Sequence, residues 1–255
     1  MTILSFQPYC GAAPDPGAVW AAWNLDPVLI TALVAVAVVY GMTWGRGAST
    51  RERVVFGAGW SLFFIAFVSP LCALTSALFA ARVGHHVAVL TLGAGLLVLA
   101  APRGRLERLF SGRMLLWSAT AVQAILLWFW HAPGAYAWSL TGDVQYWIMQ
   151  AGLIGAALMF WRGVRLAPIQ HALLALIATM VQMGALGALI TFAGEPLYAP
   201  HFATTLAWGL TPLEDQQAGG LIMWAPAAGA YLAAALILLM RRVGFGEADA
   251  GERAL

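Results

Sequence analysis

The sequence contains no lysine and little charge of any kind. Charged residues make up 9% of the 255-residue chain, and hydrophobic residues 62%. Soluble domains carry roughly 25% charged residues, so a soluble globular domain is excluded and an integral membrane protein is expected. The missing lysine also removes the Schiff-base chemistry of a retinal protein. Cysteine is scarce: Cys10 and Cys72 form neither a C-x-x-C motif nor a disulfide framework. There is no low-complexity tract. Residues 1–23 lack a basic stretch followed by an apolar core and do not read as a cleaved signal peptide.

What the chain does have is apolar runs of bilayer length, about 20 residues each. Seven are expected, near 27–44, 54–71, 83–101, 114–131, 145–162, 169–192 and 220–240. The fold class is therefore all-α, a polytopic seven-helix bundle in a single membrane domain. Residues 1–26 form a tail before it and 241–255 a tail after it.

All 13 cationic residues are arginine, and they alternate by connection. Arg46, Arg51 and Arg53 follow the first span. Arg103, Arg105, Arg108 and Arg113 follow the third, Arg162 and Arg165 the fifth, and Arg241, Arg242 and Arg253 the seventh. Only Arg82 falls on the other side. Positive residues favour the cytoplasmic side, so the N-terminus is expected outside and the C-terminus inside. The outer connections are then 72–82, 132–144 and 193–219, the last long enough to be functional. The inner connections contain no phosphate loop or catalytic triad, and no enzymatic role is expected. Gly184 with Ala188, and Gly152 with Ala156, have the small-xxx-small spacing of close helix contacts.

Ionisable residues in spanning helices are functional candidates. His85, His86, His131 and His201 all fall on the expected outer side, and only His171 on the inner. Adjacent His85 and His86 point about 100° apart, so one site is not expected to use both. Met149 and Met223 lie near the same outer ends. Met180 and Met183 share a face nearer the bilayer middle and read first as packing residues. Imidazole with thioether suits copper, and thioether suits Cu(I) in particular. Headgroup or backbone hydrogen bonding is the competing reading for each histidine. The two outer cysteines can form a disulfide, bind a soft metal or sit inert. Arg82 is expected to snorkel to lipid phosphate or to pair with Asp143 or Asp215. Helix-end histidines do not suit a transmembrane haem sandwich, and the helix interiors hold few of the charges expected of a transporter.

Several motifs then carry a resemblance. They are Tyr9-Cys10-Gly11, Trp23-Asn24-Leu25-Asp26-Pro27, Ser69-Pro70-Leu71, Ala77-Leu78-Phe79 through His86, Trp130-His131-Ala132-Pro133 with Tyr136, and Phe160-Trp161. The most specific is Asp215-Gln216-Gln217-Ala218-Gly219-Gly220-Leu221-Ile222-Met223-Trp224. In this order they resemble the seven-helix, CtaG-type assembly factors of bacterial caa3-type cytochrome c oxidase. The resemblance implies a multi-pass protein of the bacterial plasma membrane that helps mature an outer-facing copper centre. Its implied partners are oxidase subunits, membrane lipid and a copper donor protein, with no nucleic acid. His86, His131, Asp215 and Met223 match family positions. With Met149 and His201 they make the candidate copper set, in which Asp215 would orient a ligand from behind. The chain departs from the family pattern at Arg82 and at Met149-Gln150, which implies a reduced or rearranged site. A scaffold without metal, and a haem or quinone redox protein, are the alternative functions.

Topology reporters fused after Arg103 and after Gly142 should report opposite sides of the membrane. Matching signals would break the seven-span arrangement.

Overall fold

A computed structural model describes residues 6–101 and 112–252. Arg103, Arg105, Arg108 and Arg253 of the charge pattern lie outside these residues. Among the described residues there is no strand. Among them six helices are long and apolar enough to cross a membrane, and the count is seven when the bent pair Thr50–Val68 and Pro70–Ala77 is taken as one span.

In chain order, α1 runs Pro27–Gly45, α2 Thr50–Val68 and α3 Pro70–Ala77. Next come α4 over Phe79–Ala100, α5 over Gly112–His131 and the short α6 over Pro133–Trp138. Then α7 runs Asp143–Leu166 and α8 Ile169–Thr191. The last helix, α9, joins Pro212–Ile222, a π turn at Met223–Ala227 and Ala228–Glu252. Two further π turns are Gly41–Gly45, which ends α1, and Ala88–Gly93 inside α4.

The helix starts follow from local chemistry. Asp26 accepts from the Val28 N–H at 2.8 Å, with Pro27 in the first turn of α1. Ser49 with Glu52, and Thr211 with Glu214, form reciprocal capping boxes for α2 and α9. Each satisfies N–H groups that a helix start leaves unpaired.

Four expected boundaries shift. The span expected at 54–71 starts at Thr50 and breaks at Ser69, where α2 and α3 meet with a 53° bend. Pro70 forces the break: Ser69 before it is extended (ψ 170°), as steric clash with a proline ring requires. Ser69 then closes α2 and caps α3. The third span begins at Phe79 rather than 83, so Arg82 is helical. The seventh begins at Pro212 rather than 220, so Asp215 and Gln216 lie inside α9. Finally, α6 occupies part of the expected 132–144 connection.

The helices pack α5 on α7, α8 on α9, and α4 on both α9 and α2. Closest approach is made by glycine, but not at the pairs the spacing suggested. A Cβ on Gly220 would lie 2.3 Å from Thr191 Oγ1 and 2.7 Å from the Gly187 carbonyl, and one on Gly219 would lie 2.4 Å from the Phe79 ring. These two glycines set α9 directly on α8 and α4. By contrast, Gly184 and Gly152 would meet only ordinary contacts, 3.5 Å from Trp224 and 3.7 Å from Leu126.

Residues 6–26 and the 192–211 connection lie at the same end of the bundle. Trp208 Nε1 donates to the Pro14 carbonyl at 3.2 Å, and the Gln7 N–H donates to the Leu140 carbonyl at 2.9 Å. Cys10 and Cys72 form a disulfide that ties the tail to α3. Of the open alternatives for these cysteines, the structure takes the covalent one.

Gly220→Ala should destabilise the protein by about 1–3 kcal/mol, as overpacking does. Gly134→Ala, with nothing within 4 Å of the new carbon, should be close to neutral. Thermal unfolding in detergent compares the two.

Candidate functional site

The central helices converge on a narrow internal cavity of about 30 Å³, a volume that suits one or two water-sized occupants. Helix α4 contributes His86 and Thr91, and α5 contributes Gln123 and His131. Met183 comes from α8, and Met223 and Tyr231 from α9; apolar residues complete the lining. Helical periodicity explains much of the set. Gln123, Leu127 and His131 recur every four residues and therefore share one face of α5. Two of the three π turns among the described residues border the cavity: Leu90 and Thr91 sit in one, and Met223 opens the other. Pro226 inside the second turn has no N–H to continue the regular ladder, which accounts for the wider turn there.

The imidazole of His131 has a defined tautomer. Its Nδ1 lies 2.7 Å from the Leu127 carbonyl oxygen, which can only accept, so the proton sits on Nδ1. Nε2 is left with a free lone pair. Anchoring one ring nitrogen on a carbonyl while the other presents a lone pair is how ligating histidines are commonly oriented. His86 brings a buried Nε2 without a hydrogen-bond partner, and Gln123 a buried Oε1 without one. The Gln123 amide donates to the Tyr231 hydroxyl at 3.1 Å.

Two sequence candidates lie elsewhere. Met149 does not line the cavity; its sulfur accepts from Arg82 Nη2 at 3.6 Å. His201 does not line it either; its Nε2 is hydrogen-bonded to the Tyr136 hydroxyl at 2.6 Å. Equal depth along the bundle, which grouped these residues in the sequence, does not fix the direction in which each side chain points. Met183, which read first as packing, does line the cavity. His85 turns away from it, its ring 5.0 Å from that of Phe67 and at right angles to it.

Arg82 follows neither expectation. It is 2% exposed and donates to Ser139 Oγ at 3.1 Å as well as to Met149. Its guanidinium lies 5.3 Å from the Tyr136 ring centre and 5.7 Å from that of Tyr146. The two ring faces offset part of the cost of burying the charge.

Asp215 is fully buried and reaches α4 rather than a histidine. Its carboxylate accepts from the Phe79 N–H at 2.7 Å and the Ala80 N–H at 3.1 Å. Leu78, at the cap position of α4, has no side chain able to do this, so α9 caps α4 from outside. Gln216 beside it accepts from the Leu197 N–H at 2.6 Å and donates to the Ile190 and Glu195 carbonyls. Asp215 therefore positions the helix that carries His86, and Gln216 ties down the 192–211 connection.

That connection closes over the end of α5. The Tyr198 hydroxyl donates to the His131 carbonyl at 3.0 Å, and the Tyr198 ring stacks on Phe79 at 4.0 Å. Thr204 donates to the Ala77 carbonyl at 2.6 Å. Burial first, and then the Arg82 charge, hold His201 down to about 3. Burial pushes the Tyr136 hydroxyl up. Both groups are neutral near pH 7.

Among the described residues, no group of three or more His, Cys, Asp or Glu side chains could hold a metal. The convergent donors here are two imidazoles and two thioethers.

These features define a multi-pass helical membrane protein with an imidazole–thioether cavity near one end. A family model described as cytochrome c oxidase caa3 assembly factor matches residues 32–243. The chain belongs to that family. The match includes every residue named at the cavity. Neither the curated proteins nor the solved structures contain a match.

Lowering the pH should loosen the 192–211 connection. Unfolded His201 takes up a proton near its ordinary value of 6.5, whereas the buried ring resists protonation until about 3. The stability tied to the neutral ring is thus present above about pH 6.5 and lost as pH falls toward 3. Thermal unfolding at about pH 7 and about pH 4 should show a larger loss for wild type than for His201→Gln.

Proposed function

We propose that this assembly factor holds copper transiently as cargo at the cavity, in the course of maturing a copper centre of the oxidase. The observation that carries this reading is the convergence of His86, His131, Met183 and Met223 on one cavity. His131 already presents a proton-free Nε2 there. The donors are uncharged and soft, which favours Cu(I). Charge magnitude argues the same way. Desolvation cost grows with the square of the charge, so a divalent ion costs about four times as much to bury as a monovalent one. No carboxylate lines the cavity to offset that cost. The buried Arg82 cation, one helical turn before His86, adds repulsion and favours release over storage.

In this reading the tail end of the bundle faces outward in the bacterial plasma membrane. The Cys10–Cys72 disulfide supports that orientation, since disulfides persist in oxidising compartments. So do the described arginines: Arg46, Arg51, Arg53, Arg113, Arg162, Arg165, Arg241 and Arg242 fall at connections or helix ends of the opposite side. The partners are oxidase subunits and a copper donor protein.

A second reading, a scaffold that docks oxidase subunits without metal, is favoured by the lack of a three-residue His, Cys, Asp or Glu group among the described residues. Competition with a chromophoric Cu(I) chelator separates the two. Purified wild type should retain Cu(I). His86→Ala combined with His131→Ala should weaken retention at least tenfold, and Met183→Leu should weaken it less. Equal and negligible copper in wild type and double variant would remove the copper-holding reading. Oxidase with a normal copper centre in cells carrying the double variant would favour the scaffold.

A further inference from the structure

The Cys10–Cys72 disulfide lies apart from the cavity, and Cys10 lies outside the residues matched by the family model. Its surroundings are not those of an inert staple. Cys72 is the third residue of α3, in the first helical turn, where the helix dipole favours a thiolate, although the Leu71 and Cys72 N–H groups are already held by Ser69. Asn24 Nδ2 lies 3.7 Å from Cys72 Sγ, and its second proton goes to the Phe67 carbonyl at 3.1 Å. The Tyr146 hydroxyl lies 3.7 Å from Cys10 Sγ, and its O–H supplies the only proton between them. Thr75 Oγ1 is 3.9 Å from the same sulfur, although its proton points to the Cys72 carbonyl at 2.7 Å. A disulfide sulfur is a weak acceptor and gains little from these donors. A thiolate is a strong one and gains much more.

Both cysteines are buried, Cys10 slightly less so. Cys10 is 8% exposed and Cys72 0%. The tail that carries Cys10 has other fastenings besides the disulfide. These are the Gln7–Leu140 bond, Asn24 N–H to the Val68 carbonyl, and Trp208 to the Pro14 carbonyl. Opening the disulfide therefore leaves the tail docked and the two thiols neighbours.

We infer that Cys10–Cys72 is a thiol–disulfide exchange site whose substrate is a protein dithiol on the same side of the membrane. The attacking thiolate bonds to the Sγ of Cys10, the less buried of the two residues, and the Sγ–Sγ bond breaks. Cys72 leaves as a thiolate, held by the first turn of α3 and by Asn24. The partner's second thiolate then attacks the partner sulfur of the mixed disulfide and releases Cys10 as a thiolate. Tyr146 stabilises that thiolate until it takes a proton from water. The pair gains two electrons and becomes two thiols; the partner loses two and becomes a disulfide. Stabilised leaving groups make a disulfide faster to open and easier to reduce.

The full-length protein in detergent micelles, equilibrated in glutathione redox buffers and quenched with a mass-shifting maleimide, tests this. The folded wild type should gain two free thiols in reduced glutathione. Retention of the disulfide until denaturant is added would overturn the proposal and leave a structural staple. Peptide mass analysis of the trapped single-glutathione adduct should place it on Cys10, and an adduct on Cys72 would overturn the stated direction of attack. Tyr146→Phe should slow release of the trapped Cys10–glutathione adduct about tenfold, the scale of one hydrogen bond to a charged leaving group. An unchanged release rate in that variant would remove the role given to Tyr146.

Discussion

The buried carboxylate of Asp215 is the contact on which the tail end of the bundle depends. It completes α4, whose own cap residue is a leucine, by accepting the Phe79 and Ala80 N–H groups. A buried carboxylate needs such donors, and a helix start needs such an acceptor. Each removes the other's cost. The contact is possible only because Gly219 and Gly220 let α9 lie against Phe79 and against Gly187 of α8. One short motif thus fixes how α9 meets both α4 and α8. Those three helices carry His86, Met183 and Met223 to a common cavity.

Around that constraint the structure separates two kinds of polar burial. Asp215, Gln216 and Tyr136 have their hydrogen bonds directed at named partners and hold elements together. His86 Nε2, Gln123 Oε1 and His131 Nε2 face the cavity, the first two without a hydrogen-bond partner and the third with its lone pair free. Satisfied groups specify the architecture, whereas the unsatisfied ones are where a ligand gains most. Arg82 belongs to neither kind. Its charge is spread over two tyrosine faces and two weak acceptors, and it remains a positive source close to histidines that the proposed role would load with a cation.

Hydropathy made the apolar membrane-length helices and their order legible, because bilayer thickness imposes a length on every apolar run. The ends were less legible. Arg82, Glu214 and Asp215 look like connection residues on charge alone, yet each is helical. The bend at Ser69 was written in the Ser-Pro dipeptide but was outweighed by the apolar residues on either side. At the site, His86, His131 and Met223 line one cavity. Met149 and His201 do not, because depth along a helix carries no information about direction around it. Met183 was legible only in principle. It needed the knowledge that the cavity runs inward past His131 to Gln123 and Tyr231, and that depends on the packing of five helices rather than on any one segment.

The cap that Asp215 supplies has a consequence for the order of synthesis. The two partners of the Asp215–Phe79 bond are 136 residues apart, and domains form from the N-terminus as the chain emerges. Helix α4 must therefore enter the membrane with its first N–H groups uncapped and wait while α5 to α8 are made. Only the last crossing supplies the missing acceptor. The same event seats Met223 beside His86, so the cavity acquires its full donor set no earlier than the bundle becomes complete. A truncated or half-inserted chain would present isolated histidines and no assembled pocket.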